Sequence, residues 1–111
     1  MSKSILNWQD GVARVVDNRG LYAKLLGRFS ESEKEAANNI AEALGQGDME
    51  KAAYLTHSLK GTSANLGAEQ LSQAALDLEA VIKSGGDYAA PLAEVRRILE
   101  ETLQEMSQFQ A

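Results

Sequence analysis

His57 is the only imidazole in this 111-residue chain, and no cysteine accompanies it. Disulfides, thiolate metal sites, iron–sulfur ligation and cysteine nucleophiles are therefore excluded, as is any zinc site or catalytic triad needing a second histidine. What survives is chemistry on one ring nitrogen. Lys60 follows His57 by three residues, so on a helix its ammonium can reach the space above the ring. Gly61 follows by four and removes side-chain bulk beside it. A nucleophilic nitrogen, a cation for an anion and room for a bulky group together suit a phosphoryl group built and carried on nitrogen. Each residue also has a plain reading: a hydrogen-bonded structural histidine, a solvated lysine, and a glycine that lets a neighbouring helix pack closely.

Helical phase bears on these alternatives. At about 100° per residue, the apolar positions of a helix over 49–66 centre on Leu59, with Ala52, Leu55, Thr56, Ser63 and Leu66 within roughly 60° of it. His57 lies about 160° away and faces outward, beside Glu50, Ala53, Tyr54, Gly61 and Ala64. A core histidine would sit on the apolar stripe, and an idle surface histidine would stand among Lys, Glu and Gln. His57 is instead flanked by small residues one and two turns away. Gly61 costs about 1 kcal/mol against alanine inside a helix, which close helix packing or the close approach of a partner would repay. Ala53, Tyr54, Ala64 and Asn65 complete the face as candidate partner-binding residues.

The elements that must position this face are all helical. Ala, Leu, Glu, Gln and Lys dominate, and apolar residues recur at three and four rather than at two. Asn18 is placed to cap a helix over 19–30, and Ser32 with Glu35 forms an S-x-x-E capping box for one over 33–45. Asp48 suits an N-cap for 49–66, closed by Gly67; the next helix runs over 68–84 to Gly85 and Gly86. Asp87 can cap a last helix over 88–107, with Pro91 tolerated in its first turn. A shorter amphipathic segment over 8–16 precedes them. Short connections predict an antiparallel up-down-up-down four-helix bundle with one or two additional short N-terminal helices, in a single domain over 1–111 whose bundle core spans about 19–107.

Sixteen acids against eleven bases give a net charge of −5, which argues against a nucleic-acid partner. No apolar stretch suits a membrane span and the N-terminus is unlike a signal peptide, so a cytoplasmic chain without membrane contact is expected. The run ESEKE over 31–35 and the pair Arg96 and Arg97 read as solvated helix faces.

The string THSLKGTSANLG over 56–67 resembles the signature of histidine-containing phosphotransfer (HPt) domains, a histidine followed by x-[LIV]-K-G and a small, Ser/Ala-rich turn ending in [LI]-G. The DGVARVVDN opening, the Asp-capped helix and the LGAEQLSQAALDLE continuation extend the likeness over about 5–107. Thr56 and Thr62 stand where the family often has Ala or Ser. The resemblance implies a relay intermediate that takes a phosphoryl group from one receiver-domain aspartate and gives it to another. His57 would be the phosphoacceptor, Lys60 would neutralise the phosphoryl oxygens, and Gly61 would leave steric access. It further implies receiver domains and a hybrid sensor kinase as partners, a monomer, and no cofactor or metal of its own, Mg²⁺ being supplied by the receiver. The chain carries no Gly-rich phosphate loop, so autokinase activity and an ATP site are not expected. A kinase dimerisation segment would characteristically have an acid after the histidine and a nearby proline, whereas Ser58 follows here and the one proline is Pro91. The remaining alternative is a non-catalytic helical adaptor with an idle histidine.

Overall fold

A computed structural model of the protein describes residues 19–108, and every regular element among them is a helix. These are α1 (Arg19–Glu33), α2 (Ala36–Gly45), α3 (Met49–Asn65), α4 (Glu69–Ser84) and α5 (Ala89–Gln108). The segment expected over 8–16 and the Asn18 cap lie outside the described residues. Each of α2 to α5 packs on its sequence neighbour, and contacts between α2 and α5 close the four-helix bundle. The short turns between consecutive helices make these neighbours antiparallel. The fifth helix, α1, lies against α5. No helix among the described residues is long and apolar enough to cross a membrane.

The core follows the helical period. Tyr22, Leu26 and Phe29 of α1 are buried with Ile40 and Leu44 of α2, Leu59 of α3, Leu71, Leu78 and Ile82 of α4, and Val95, Leu99 and Met106 of α5. Among the described residues, the fully buried Ser and Thr hydroxyls each donate to a carbonyl one turn earlier: Thr56 to Ala52 (2.7 Å), Ser63 to Leu59 (2.6 Å) and Thr102 to Ile98 (2.6 Å). Such bonds satisfy a hydroxyl that an apolar core could not otherwise hold.

The helix ends largely match the sequence signals. Asp48 caps α3 by accepting from the Lys51 amide at 3.1 Å, and Asp87 accepts from the Ala89 amide at 3.0 Å ahead of Pro91. Gly67, at φ +81°, takes the left-handed conformation after α3, so that its amide reaches the Ala64 carbonyl (3.1 Å) and the Ala68 amide the Ser63 carbonyl (2.9 Å). Gly85, at φ +76°, does the same for α4.

One boundary differs. The capping box expected of Ser32 and Glu35 does not form: α1 continues through Glu33, and α2 begins at Ala36. Ser32 Oγ donates to the Phe29 carbonyl inside α1, and the Glu35 carboxylate accepts from Asn38 Nδ2 at 2.6 Å. Packing explains the extra turn, since buried Phe29 and half-buried Glu33, which accepts from Thr62 of α3, hold the end of α1 against the bundle.

Tyr22 binds α1 to the site-bearing helix. Its hydroxyl, fully buried, donates to the Leu66 carbonyl at 2.5 Å and so satisfies an orphan acceptor at the C-terminus of α3. Replacing Tyr22 by Phe leaves that carbonyl without its donor. Urea denaturation is expected to show a loss of about 1–2 kcal/mol with helix content unchanged.

Candidate functional site

The face opposite the core of α3 carries the candidate residues. Ala52, Thr56, Leu59 and Ser63 are buried, and their common phase turns His57 away from the bundle, leaving its side chain 62% exposed. Gly61 lies on the same outer face. A Cβ built on it meets nothing within 4 Å, which removes close helix packing as the reason for a glycine there. Tyr54 is 71% exposed, an unusual position for a large aromatic residue, while Ala53 and Ala64 are half-buried beside it. Asn65 is exposed. These residues therefore form one continuous face of α3, as the phase required.

Lys60 lies on the α4 side of that face. Its backbone carbonyl accepts from Ser72 Oγ of α4 at 3.0 Å, and its ammonium forms no ion pair with any described residue. It is thus a cation not already neutralised within the described structure.

The group that touches the ring was not among the residues singled out in the sequence. Glu79 of α4 brings its carboxylate to His57 Nδ1, at 3.1 Å from Oε2 and 3.3 Å from Oε1. Only 7% of the Glu79 side chain is exposed, and Lys83, one turn along α4, places Nζ 3.0 Å from the same Oε2. Burial acts to raise the pKa of Glu79, but hydrogen bonds and charge from Lys83 and His57 outweigh it and hold the carboxyl below its ordinary range. An ionised carboxylate can only accept, so Nδ1 carries the ring hydrogen and Nε2 keeps its lone pair, with no described partner. Leu76, one turn before Glu79, is a further exposed apolar residue, 42% accessible.

The hint lay in the helical phase of α4. Glu79 falls on the flank of the stripe formed by Leu71, Ala75, Leu78 and Ile82, and an acid in that position must find a donor once the stripe is buried. That the donor is His57 follows only from how α4 packs on α3.

Beyond Asn65 the face runs into a groove of about 470 Å³ between α1 and α3, floored by Leu25, Phe29 and Leu66 and edged by Arg28, Glu33 and Asn65. Burial pushes the Glu33 carboxyl up, against the hydrogen bond from Thr62. Arg96 and Arg97 are spent elsewhere, on Asn38 and on Glu94 with Glu101, all at exposed positions.

A family model described as the Hpt domain matches residues 24–111. Among solved structures, the chain is similar to the HPT domain of the Hpt sensor hybrid histidine kinase from Shewanella, with 23% identity over 96% of this chain and 97% of that one and a TM-score of 0.72. That likeness concerns the fold. A comparison with curated proteins gave no match.

Two outcomes follow from the site geometry. Because the space at Gly61 is open, Gly61→Ala should stabilise the protein by about 0.5–1 kcal/mol in denaturant melts; a loss of stability would mean that another group occupies that space. Glu79, with a depressed pKa, contributes stability that is complete above the ordinary carboxylate range and is lost as pH falls through its own titration. Stability of the parent should therefore fall more steeply below about pH 4.5 than that of Glu79→Gln, measured by urea midpoints across the acid limb.

Proposed function

The chain belongs to the Hpt domain family, whose members carry out histidine phosphotransfer in two-component signalling, and from that premise we propose that His57 accepts a phosphoryl group from the aspartate of one receiver domain and passes it to that of another. The observation that carries this reading is an exposed imidazole whose Nδ1 is held by a buried carboxylate, so that Nε2 is left as the nucleophile.

The step balances on these groups. The Nε2 lone pair forms a bond to phosphorus while the bond from phosphorus to the aspartyl oxygen breaks, and the aspartate leaves as a carboxylate. The ring becomes positive as the new bond forms, with its hydrogen still on Nδ1. Glu79 faces that charge, much as the acid of a hydrolase triad faces its histidine. Lys60 meets the phosphoryl oxygens, and the empty side of Gly61 admits the receiver's reacting end. Transfer to the second receiver is the same step reversed.

The receiver would bring Mg²⁺ and its own charge-stabilising groups, while this chain supplies a positioned nucleophile and a docking face of Ala53, Tyr54, Ala64 and Asn65. This reading takes residues 1–111 as one phosphotransfer domain that works as a monomer, with receiver domains, including that of a hybrid sensor kinase, as partners.

His57→Gln tests it. Incubated with a phosphorylated receiver domain, the parent should acquire an acid-labile, base-stable label that the variant lacks, with both showing the same helical circular dichroism. Label retained in the variant would place the acceptor elsewhere, and a parent unlabelled by any of a panel of receivers would favour the helical adaptor.

A further inference from the structure

Lys83 is the one residue of the cluster that touches neither the ring nor the outer face of α3, yet it shares an atom with the histidine. Glu79 Oε2 lies 3.0 Å from Lys83 Nζ and 3.1 Å from His57 Nδ1. A carboxylate oxygen can accept from both, but its charge is divided between them. The Glu79 side chain is only 7% exposed, while its two partners, at 62% and 65%, stay open to water. No other charged group lies within ion-pair distance of Glu79: α3 contributes His57, α4 contributes Lys83, and α2 and α5 contribute none among the described residues. Lys60, one turn along α3 from His57, is the other cation of the site, and it forms no ion pair with Glu79.

We propose that Lys83 is a positioning residue for phosphoryl acceptance: by drawing on Glu79 Oε2 it sets how strongly the carboxylate holds the imidazole, and hence the pH at which Nε2 is free to react. The inference rests on the phosphotransfer reading of His57 and adds a control one contact removed from the ring.

The sign follows from electrostatics. With Lys83 present, Glu79 is partly neutralised and attracts a second proton to the ring less strongly. Without it, the carboxylate acts on the imidazole alone, the protonated ring is favoured, and a larger share of His57 lacks the Nε2 lone pair at neutral pH. Lys83→Met keeps the aliphatic stem and removes only the charge, while Lys83→Arg restores it. The conventional role for this lysine is to meet the carbonyl end of α4, where it stands in the last turn. That role predicts a lower melting temperature and nothing at the ring.

The experiment uses the full chain with ¹⁵N-labelled histidine. The ring nitrogens are followed by NMR across pH, and the rate of labelling at His57 by phosphoramidate, a donor small enough to need no docking, is measured over the same range. In Lys83→Met the ring titration and the rate profile should both move to higher pH by about half a unit, lowering the rate about threefold on the acid limb of the profile and converging with the parent on its alkaline plateau. Lys83→Arg should coincide with the parent. Ring titrations and rate profiles that superimpose in parent and Lys83→Met overturn the role for Lys83, whatever the melting temperature does. A parent that phosphoramidate does not label at His57 overturns the phosphotransfer reading itself, and the two failures are told apart by which protein shows them.

Discussion

The register of α3 within the bundle is the constraint on which the site depends. Ala52, Thr56, Leu59 and Ser63 are buried together, and a rotation that exposed Leu59 would lose on the order of 2 kcal/mol of apolar burial at that side chain alone. His57 sits almost opposite and has no freedom to turn inward while those residues remain inside. Outward placement of the ring is thus enforced by core packing rather than by any contact the ring itself makes. The two buried hydroxyls strengthen the register further, since each already bonds within its own helix and would gain little by reaching water.

A second requirement comes from α4. Burying Glu79 beside Leu78 and Ile82 is costly unless the carboxylate is met by donors, and the structure supplies a neutral or charged imidazole from one helix and an ammonium from its own. The same contact that makes Glu79 tolerable selects the ring tautomer. Structural need and chemical use coincide at one pair of atoms. Local charge also departs from the chain's overall sign: the net charge is −5, yet Lys60, one turn from His57 on α3, has no ion-pair partner among the described residues and leaves a cation on this part of an acidic protein.

Much of this is legible in the sequence. The outward phase of His57, the Asp48 and Asp87 caps, the stop at Gly67 and the order of the bundle helices all follow from period and punctuation, which act over neighbouring residues. Ser32 and Glu35 show where such reasoning ends, because a tertiary contact between Glu33 and Thr62 holds α1 in helix past a valid local start signal. Glu79 and Lys83 show it more sharply. They are 22 and 26 residues beyond His57, and the packing of α4 on α3 is what places the carboxylate beside the ring. Gly61 lies between these cases: the sequence left open two reasons for a mid-helix glycine, and the empty space beside it removes one.

The turn that bears Gly61 is braced from behind. Ser63 donates to the Leu59 carbonyl, and Ser72 reaches from α4 to that of Lys60. A helix with a glycine in its middle would ordinarily be slack there, and a surface stripped of side chains would ordinarily be soft. Here side-chain bonds on the hidden side take over the stiffening that a Cβ would have given on the visible side. A backbone pressed against this face meets a surface with few rotamers to freeze and little chain motion to quench, so the entropy lost on encounter is small. Binding there can be brief and still well aligned, as the proposed passage from one partner to the next would require.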